Sequence, residues 1–361
     1  MWANREGLFG KEVVAIDGSK FKAVNSKARS YTPKKLERMI EREREKVERY
    51  MADLEEADNE DAGDGEKQLS GKELREKIAR MKKYLERHKM VLEGMKERGE
   101  KQHAETDPDA RMMKTTKGKE VSYNVQIAVD EKHKLIVDVE ATNEIADQGL
   151  LAQMAVKAKE VLEVEHLVVV ADGGYFSNEA IRECEESGIT SFVPVPKLGN
   201  ARHKGIYPRE VFNYDESRDT YLCPAGEEMT VVSRTSAKGR YTKDYKVYGT
   251  SECKGCPLRQ QCTTSKHGRK IKRWVHYKVF ERLQARIRNQ PEMLRKRKGI
   301  VEHPFGTIKV SMNHERLLTK GLSNVGTEMA FAAISYNLRR VLSVLGIKMM
   351  MQRFQHELAR K

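Results

Sequence analysis

Residues 166–174 read HLVVVADGG, and residues 12–18 read EVVAIDG. The first stretch is a continuous apolar run, which is typical of a strand buried on both faces in the middle of a sheet. The second is a shorter β-branched and apolar run, and it also predicts a strand. Each run ends in an aspartate that is followed by glycine, Asp17 in one and Asp172 in the other. We therefore expect two strands of one sheet, each with an acid at its carboxyl end.

The flanking segments predict a mixed α/β core. Residues 121–129 and 134–142 predict a strand hairpin, helices are expected at 147–161 and 178–187, and a short strand is expected at 191–195. The order strand, hairpin, helix, strand, helix, strand resembles that of a ribonuclease-H-like fold. Helical spacing returns from Lys278 to Arg340, and residues 329–345 are apolar enough to pack on the core.

Two segments interrupt this order. Residues 33–54 have an amphipathic helical pattern in which Glu43 is the one polar exception, and residues 74–95 have the 4-3-4-3 spacing of a coiled-coil seam. An acidic linker, 58–71, separates them, so we expect an inserted helical hairpin, either purely structural or with a role in dimerisation or DNA contact. Residues 199–274 are rich in Tyr, Thr and turn residues, which predicts a small β-rich second insertion.

Composition points to a polyanionic partner. The 361 residues carry a formal net charge of +14, and the pI is near 9.4. From Arg259 to Lys309 there are fifteen Lys or Arg against three acids, a net +12. This concentration favours a phosphate-binding surface over an ordinary solvated face. We see no membrane span and no signal peptide, so we expect no membrane partner and a cytoplasmic, nucleoid-associated protein.

The two strand-terminal aspartates predict metal chemistry. Groups at the carboxyl ends of neighbouring strands converge, and two converging carboxylates need a cation. A pair of Mg²⁺ ions would relieve the repulsion and activate a phosphodiester. The alternative is that each Asp only caps a strand-to-turn junction. Asp107 and Asp109 lie in a turn-forming setting that favours a structural role.

The cysteines divide into two sets. Cys184 falls in a predicted helix, which indicates an ordinary buried thiol. The other four are Cys223, Cys253, Cys256 and Cys262. In a cytosolic chain their spacing favours a structural Zn²⁺ site over disulfides, with free thiols as the alternative.

Six motifs resemble those of the DDE insertion-sequence transposases. They are AIDGSKF (15–21), TDPDAR (106–111), YNVQIAVD (123–130), ADGGY (171–175), CPAG (223–226) and EHPFGTIK (302–309). The resemblance runs from about residue 8 to residue 345. It implies a ribonuclease-H-like fold on which Asp17, Asp172 and Glu302 form a catalytic triad that holds two Mg²⁺ or Mn²⁺ ions.

The same resemblance implies DNA-binding positions around Glu302. It places a basic residue four positions before the Glu and a Lys seven positions after it, which here are Lys298 and Lys309. Arg295 replaces an aromatic residue, and with Arg297 it completes the DNA-binding set that we expect. Because Pro304 cannot lie inside an uninterrupted helix, either a helix begins near residue 303 or the helix carrying Glu302 is kinked.

The expected organisation has six parts. They are a first catalytic strand region (8–32), a helical hairpin insertion (33–105), a ribonuclease-H-like core (106–198), a Cys-containing insertion (199–275), C-terminal catalytic helices (276–345) and a tail (346–361).

The expected function is metal-dependent DNA transposition by a homodimer that binds the inverted-repeat ends of its element and target DNA. One alternative is a ribonuclease-H-like nuclease or resolvase. Another is a truncated or domesticated DNA-binding protein without activity. Members of the family usually carry a helical DNA-recognition domain before the first catalytic strand. Sixteen residues precede Asp17 here, so we expect that domain to be missing.

Overall fold

The computed structural model describes residues 2–59, 71–196, 205–237 and 243–359. In these ranges the strands are β1 (Val13–Lys22), β2 (Ser30–Tyr31), β3 (His103–Ala104), β4 (Arg111–Thr115), β5 (Gly118–Asp130), β6 (Ile136–Thr142), β7 (Leu167–Val170), β8 (Ile189–Phe192), β9 (Asn213–Asp215), β10 (Thr220–Leu222), β11 (Glu228–Ala237), β12 (Lys243–Gly249) and β13 (Ile271–Trp274). The helices are α1 (Trp2–Arg5), α2 (Pro33–Asn59), α3 (Gly71–Glu97), α4 (Leu151–Leu162), α5 (Asn178–Glu186), α6 (Arg259–Cys262), α7 (Tyr277–Asn289), α8 (Glu292–Gly306) and α9 (Leu322–Ala359).

The central sheet is mixed. Along it the strands lie in the order β6, β5, β1, β7, β8, and β4 pairs with the opening residues of β5 on the β6 side. The pairs β1 with β5 and β5 with β6 are antiparallel, while β1 with β7 and β7 with β8 are parallel. This confirms the predicted ribonuclease-H-like mixed α/β core, with its helical-hairpin insertion and its Cys-containing β-rich insertion.

Both faces of the sheet are covered, as the apolar runs predict. Successive residues of a strand point to opposite faces. Val14 and Ile16 accordingly pack on the side of α4 and α5, and Ala15 packs on the side of α8 and α9. Ile16 and Ala15 are completely buried. The sheet is therefore a rigid platform from which polar groups project only where its strands emerge from the core.

The expectation that the first strand ends at Asp17 is wrong. β1 continues to Lys22, because its antiparallel pairing with β5 extends as far as Lys22 opposite Ser122. Its parallel pairing with β7 stops at Ala15. The residues that follow Asp17 are polar, which is typical of a loop. In the structure their backbone groups nevertheless form hydrogen bonds with β5.

Helix α4 begins later than predicted, at Leu151 rather than at Asp147. Gly149 has a φ of 88°, which is outside the helical region. Asp147 is therefore left in a loop before the helix.

The helical insertion is a hairpin of α2 and α3, as expected, and the polar exception in α2 has a partner in α3. The carboxylate of Glu43 lies 2.9 Å from Nδ1 of His88, and the side chains are 14% and 8% exposed. Leu36, Leu92 and Met95 form the apolar contact beside this pair. Most of the acidic linker, residues 60–70, lies outside the described residues.

We expect the pair to be coupled in stability. Glu43→Leu or His88→Leu alone strands a buried polar partner and should lower the free energy of unfolding by about 1 to 3 kcal/mol. The double variant removes both polar groups, so it should lose much less than the sum. Urea unfolding followed by far-UV circular dichroism measures all three variants. Additive losses would show that the two groups act independently.

The β-rich insertion contains a five-stranded antiparallel sheet in the order β13, β12, β11, β10, β9. Its small core is aromatic and includes Phe212, Tyr221 and Tyr248. Residues 199–204 and 238–242 of the predicted insertion lie outside the described residues.

A new helix does not begin near residue 303, because α8 continues through Pro304. α8 runs on into a π-helical turn, Thr307–Ser311. Proline provides no N–H, so the helix lacks the main-chain hydrogen bond that residue 304 would otherwise donate to the carbonyl of Ile300.

The long C-terminal helix is anchored to the sheet at its start. Asp109 accepts a hydrogen bond from the N–H of Leu322 at 2.9 Å, and the buried Asp107 accepts from the N–H of Gly321 at 3.2 Å. Asp107 also accepts from the hydroxyl of Tyr123 at 2.7 Å. These contacts agree with a structural role for the two acids. Within the described ranges, no helix is long and apolar enough to cross a membrane.

Candidate active site

Strand register brings Asp17 and Asp172 to the same edge of the sheet. Ala15 lies opposite Val170 in the parallel pairing of β1 and β7, so each aspartate lies two residues beyond that pair. The two acids are close enough for the charge of Asp172 to raise the pKa of Asp17. Parallel neighbours whose carboxyl ends emerge together account for this convergence.

Asp17 is held from two sides. One carboxylate oxygen accepts from the N–H of Gly18 at 2.9 Å, and the other accepts from the Arg297 guanidinium at 2.7 Å. Burial raises the pKa of Asp17 to about 6, Arg297 and the Gly18 N–H oppose the rise, and Asp172 and Asp147 add to it. The usual pKa of an aspartate is 3.8. The free energy of unfolding should therefore fall as the pH rises from about 4 to about 6, and the cost of ionising Asp17 remains above that pH. A cation at this position would offset that cost.

Asp172 caps a short 3₁₀ turn, Gly173–Tyr175. Its carboxylate accepts from the N–H of Gly174 at 2.8 Å. The capping alternative considered from the sequence is therefore present, but it occupies one oxygen and leaves the group beside Asp17.

A third acid, Asp147, joins this pair, and sequence reasoning missed it. Its Oδ1 accepts from Asn124 at 2.7 Å, from Gln126 at 3.0 Å and from Lys20 at 3.2 Å. The side chain of Asp147 is thus surrounded by Asn124, Gln126, Lys20 and the carboxylate of Asp17, whose pKa the charge of Asp147 raises. The sequence offers little signal for it, since the loop places it there and the helical pattern merely begins nearby.

A buried polar layer supports the three acids. The Tyr175 hydroxyl donates to Oε1 of Gln126, and Nε2 of Gln126 donates to Oδ1 of Asn124 at 2.9 Å. Burial raises the pKa of Tyr175, and the three neighbouring acids raise it further, so the hydroxyl stays protonated and donates. A Cβ on Gly18 would lie 2.2 Å from Nε2 of Gln126, so only glycine lets β1 pass this close to the layer.

Glu302 does not join the aspartates in this arrangement. It lies on the exposed side of α8, where its carboxylate is 3.6 Å from the Lys298 ammonium. Arg297 is five positions earlier, and five helical steps amount to about 140° around the axis. The face of α8 that meets Asp17 is therefore the Arg297 face. Among the residues that the structure describes, no group of three or more His, Cys, Asp or Glu side chains is arranged so that it could hold a metal ion.

The four residues expected to bind DNA have different surroundings. Arg295 and Lys298 are exposed on α8. Arg297 is engaged by Asp17. Lys309 donates to Oγ of Ser19 at 2.7 Å and to the carbonyl of Lys20 at 2.9 Å, so it is fastened to β1.

The four cysteines of the β-rich insertion line one small cavity, together with Phe212 and Met229. Burial raises the pKa of Cys262, Arg269 lowers it, and the other three thiols raise it further. The four thiols are therefore neighbours, but in this structure they are not arranged so that they could hold a metal ion. Cys184 is completely buried, as expected, and burial raises its pKa to about 12.

The carboxylates fit a divalent cation in part. Asp17 and Asp172 provide hard oxygen ligands whose mutual repulsion Arg297 and the Gly18 N–H offset only in part, and Mg²⁺ or Mn²⁺ favours such an environment. Glu302 lies outside this set.

One family model matches part of this chain. Residues 222–342 match the family model described as the transposase DDE domain. The matched range contains Glu302 and the four cysteines, whereas Asp17 and Asp172 precede it. Searches of curated proteins and of solved structures returned no match. DDE transposases use divalent metal ions, and the family indicates DNA binding. The matched domain, which covers residues 222–342, and the ribonuclease-H-like core together support a DDE-type transposase.

Proposed function

We propose that this protein cleaves DNA at the ends of an insertion sequence and joins the freed ends to target DNA. The observation that carries the proposal is the convergence of Asp17 and Asp172 at one edge of a ribonuclease-H-like sheet, in a chain whose C-terminal part matches a transposase DDE domain. Phosphoryl transfer depends mainly on positioning and charge neutralisation. A rigid sheet edge with two carboxylates meets the first need.

Asp17, Asp172 and Glu302 are the proposed ligands of two Mg²⁺ or Mn²⁺ ions. Such ions polarise the phosphodiester and lower the pKa of the attacking water or hydroxyl. Arg297 supplies the positive charge beside Asp17 in the present arrangement, so its release from Asp17 would free that carboxylate for a cation. For Glu302 to join Asp17 and Asp172, its side chain would have to turn towards them, and α8 would have to move so that the face carrying Arg297 no longer meets Asp17. Asp147 would keep Asn124, Gln126 and Lys20 in place around the pair.

Strand transfer separates this proposal from a ribonuclease-H-like nuclease. The test incubates the protein with labelled element ends, supercoiled target DNA and Mg²⁺, and resolves the products. Covalently joined end–target products are expected. Cut DNA without joined products would favour the nuclease, and bound but uncut DNA would favour a DNA-binding protein without activity.

Two copies of the chain should act together. An element has two ends, and each end needs its own reacting site, so we propose a homodimer on the DNA. The mass of the complex formed with paired ends in solution tests this. A complex that holds one chain per pair of ends would contradict it.

Zinc in the β-rich insertion is a separate proposal, supported by the four neighbouring thiols around one cavity. Protein purified under reducing conditions should contain about one zinc per chain, bound by four thiolates. Cys256→Ser should lose most of it. Cys184→Ala, which changes the remote buried thiol, is the matched control and should keep it. Zinc-free protein in which all thiols react freely under native conditions would overturn the proposal.

A further inference from the structure

A second basic surface lies largely outside the basic segment 259–309. It is a groove of about 630 Å³ whose floor is β1 and whose walls include the β4–β5 hairpin and the chain from Lys309 to Arg316. We call it the lysine groove. Its cations are Lys20, Lys22, Lys114, Lys117, Lys309 and Arg316. Glu120 and Glu315 are the acids that line it, so six cations face two acids.

The groove continues along the protein. An adjoining groove of about 740 Å³ shares Lys22, Lys117 and Arg316 with it, and adds Lys27 and Lys119. Joined, the two carry eight cations against the same two acids. The cations come from three separate segments of the chain, 20–27, 114–119 and 309–316, so no single run of charge in the sequence predicts the groove.

Much of this charge is uncompensated. Glu120 lies 3.2 Å from Lys22, and Glu315 lies 2.8 Å from Lys117. Lys114, Lys119 and Arg316 are exposed, and within the described part of the chain none of them has a salt bridge. Like charges gathered in this way favour a polyanion, since it alone neutralises several of them at once.

The pKa of Lys309 reflects the same crowding. Burial lowers it, Glu315 opposes the fall, and the charges of Lys117 and Lys20 lower it further. Lys309 also lies over the buried ring of Phe21, 4.5 Å from its centroid. The ammonium is thus fixed at the base of the groove, and further cations surround it.

One end of the groove opens at the candidate active site. Gly18, which follows Asp17, lines the groove, and so does Lys20. The ammonium of Lys20 is 3.2 Å from Asp147, the acid whose charge raises the pKa of Asp17. A chain of phosphates lying in the groove would therefore arrive at the carboxylates.

We infer that the lysine groove binds the sugar-phosphate backbone of a DNA strand and leads it to Asp17 and Asp172. The inference rests on the proposed function, because it assigns a DNA path to that site. The lysine groove is lined by cations and by the hydroxyls of Ser19, Thr115 and Thr116. No aromatic side chain lines it within the described residues, so the bases have no stacking surface there, and the cations and hydroxyls would hold the strand by its phosphates.

The test compares two triple variants that each remove three exposed positive charges. The groove variant is Lys114→Ala and Arg316→Ala, from the lysine groove, with Lys119→Ala from the adjoining groove. The control is Lys72→Ala with Lys82→Ala and Lys83→Ala, all on α3 of the helical hairpin. Binding of a short DNA of arbitrary sequence is measured against salt concentration, as a duplex and as a single strand. Metal-dependent cutting by the unaltered protein is measured in parallel.

The groove variant should bind both DNAs more weakly. The slope of log affinity against log salt concentration should become less negative, by about 3 for the duplex and about 2 for the single strand. These are the changes expected for three lost phosphate contacts. The control should keep the original slope. Because all six residues are exposed, both variants should fold, which circular dichroism verifies.

A salt slope of the groove variant equal to that of the unaltered protein would show that the lysine groove does not bind DNA. If the unaltered protein still binds and cuts DNA in that case, the proposed function stands and only the path is wrong. If the unaltered protein neither binds nor cuts DNA, both fail. Photo-cross-linking of DNA to the β4–β5 turn gives an independent readout, and a cross-link confined to other surfaces would also overturn the path.

Discussion

Asp172→Asn is expected to abolish metal-dependent DNA cleavage and joining while leaving DNA affinity intact or slightly higher. Asparagine keeps the size of the side chain and an oxygen that can accept from the Gly174 N–H, so the local turn should survive. It lacks the negative charge that holds a divalent cation. Metal coordination at a phosphodiester is worth several kcal/mol, so the rate should fall by about a thousandfold or more. Cleavage and binding assays on one DNA measure both effects.

Asp109→Asn is the matched control for this experiment. It also removes one carboxylate charge, but from the start of α9, and its remaining oxygen can still accept from the Leu322 N–H. Cleavage by this variant should be close to that of the unaltered protein. If Asp172→Asn cuts DNA as fast as the control does, Asp172 is not a metal ligand, and a DNA-binding protein without activity becomes the better account.

Asp107→Ala is expected to lower the free energy of unfolding by about 3 kcal/mol. Asp107 is completely buried and joins β5 to the start of α9 through Tyr123 and Gly321. Its loss leaves a buried hydroxyl and a backbone N–H without their acceptor, each of which costs about 1 to 3 kcal/mol. Burial and the bond to Asp107 both raise the pKa of Tyr123, so its hydroxyl is a donor throughout the accessible pH range.

Urea unfolding measures the loss, with Asp109→Ala as the companion variant. Asp109 accepts from the next N–H of the same helix but at a more exposed position, so its replacement should cost about 1 kcal/mol, as for an ordinary helix cap. Equal costs for the two variants would show that Asp107 acts as a simple cap and does not link the sheet to the helix.

The core of the fold could be predicted because its signals are local. The apolar run of 167–170 and the aspartate two residues later indicate a buried strand and its carboxyl end, and Asp172 lies where this reasoning puts it. Glu43 stood out as the one polar residue on an apolar helix face, and the structure pairs it with His88 across the hairpin.

The rest depends on long-range pairing that one sequence does not display. β1 continues past Asp17 because β5 lies beside it, and nothing in residues 18–22 reveals that neighbour. Asp147 reaches the site from a loop whose path depends on Gly149. The lysine groove brings together cations from three distant segments. Glu302 stands out as an acid in a basic segment, but its orientation is decided by which face of α8 meets β1, and that face carries Arg297.

The most direct measurement of the central claim, that Asp17 and Asp172 hold a divalent cation, is Mn²⁺ binding followed by electron paramagnetic resonance without DNA. The unaltered protein should bind Mn²⁺, and Asp109→Asn should bind it equally well. Asp17→Asn and Asp172→Asn should each weaken binding by more than about a hundredfold, since even residues that only support a metal ligand cost tenfold to about a hundredfold. Mn²⁺ affinity that is the same in all four proteins would contradict the account.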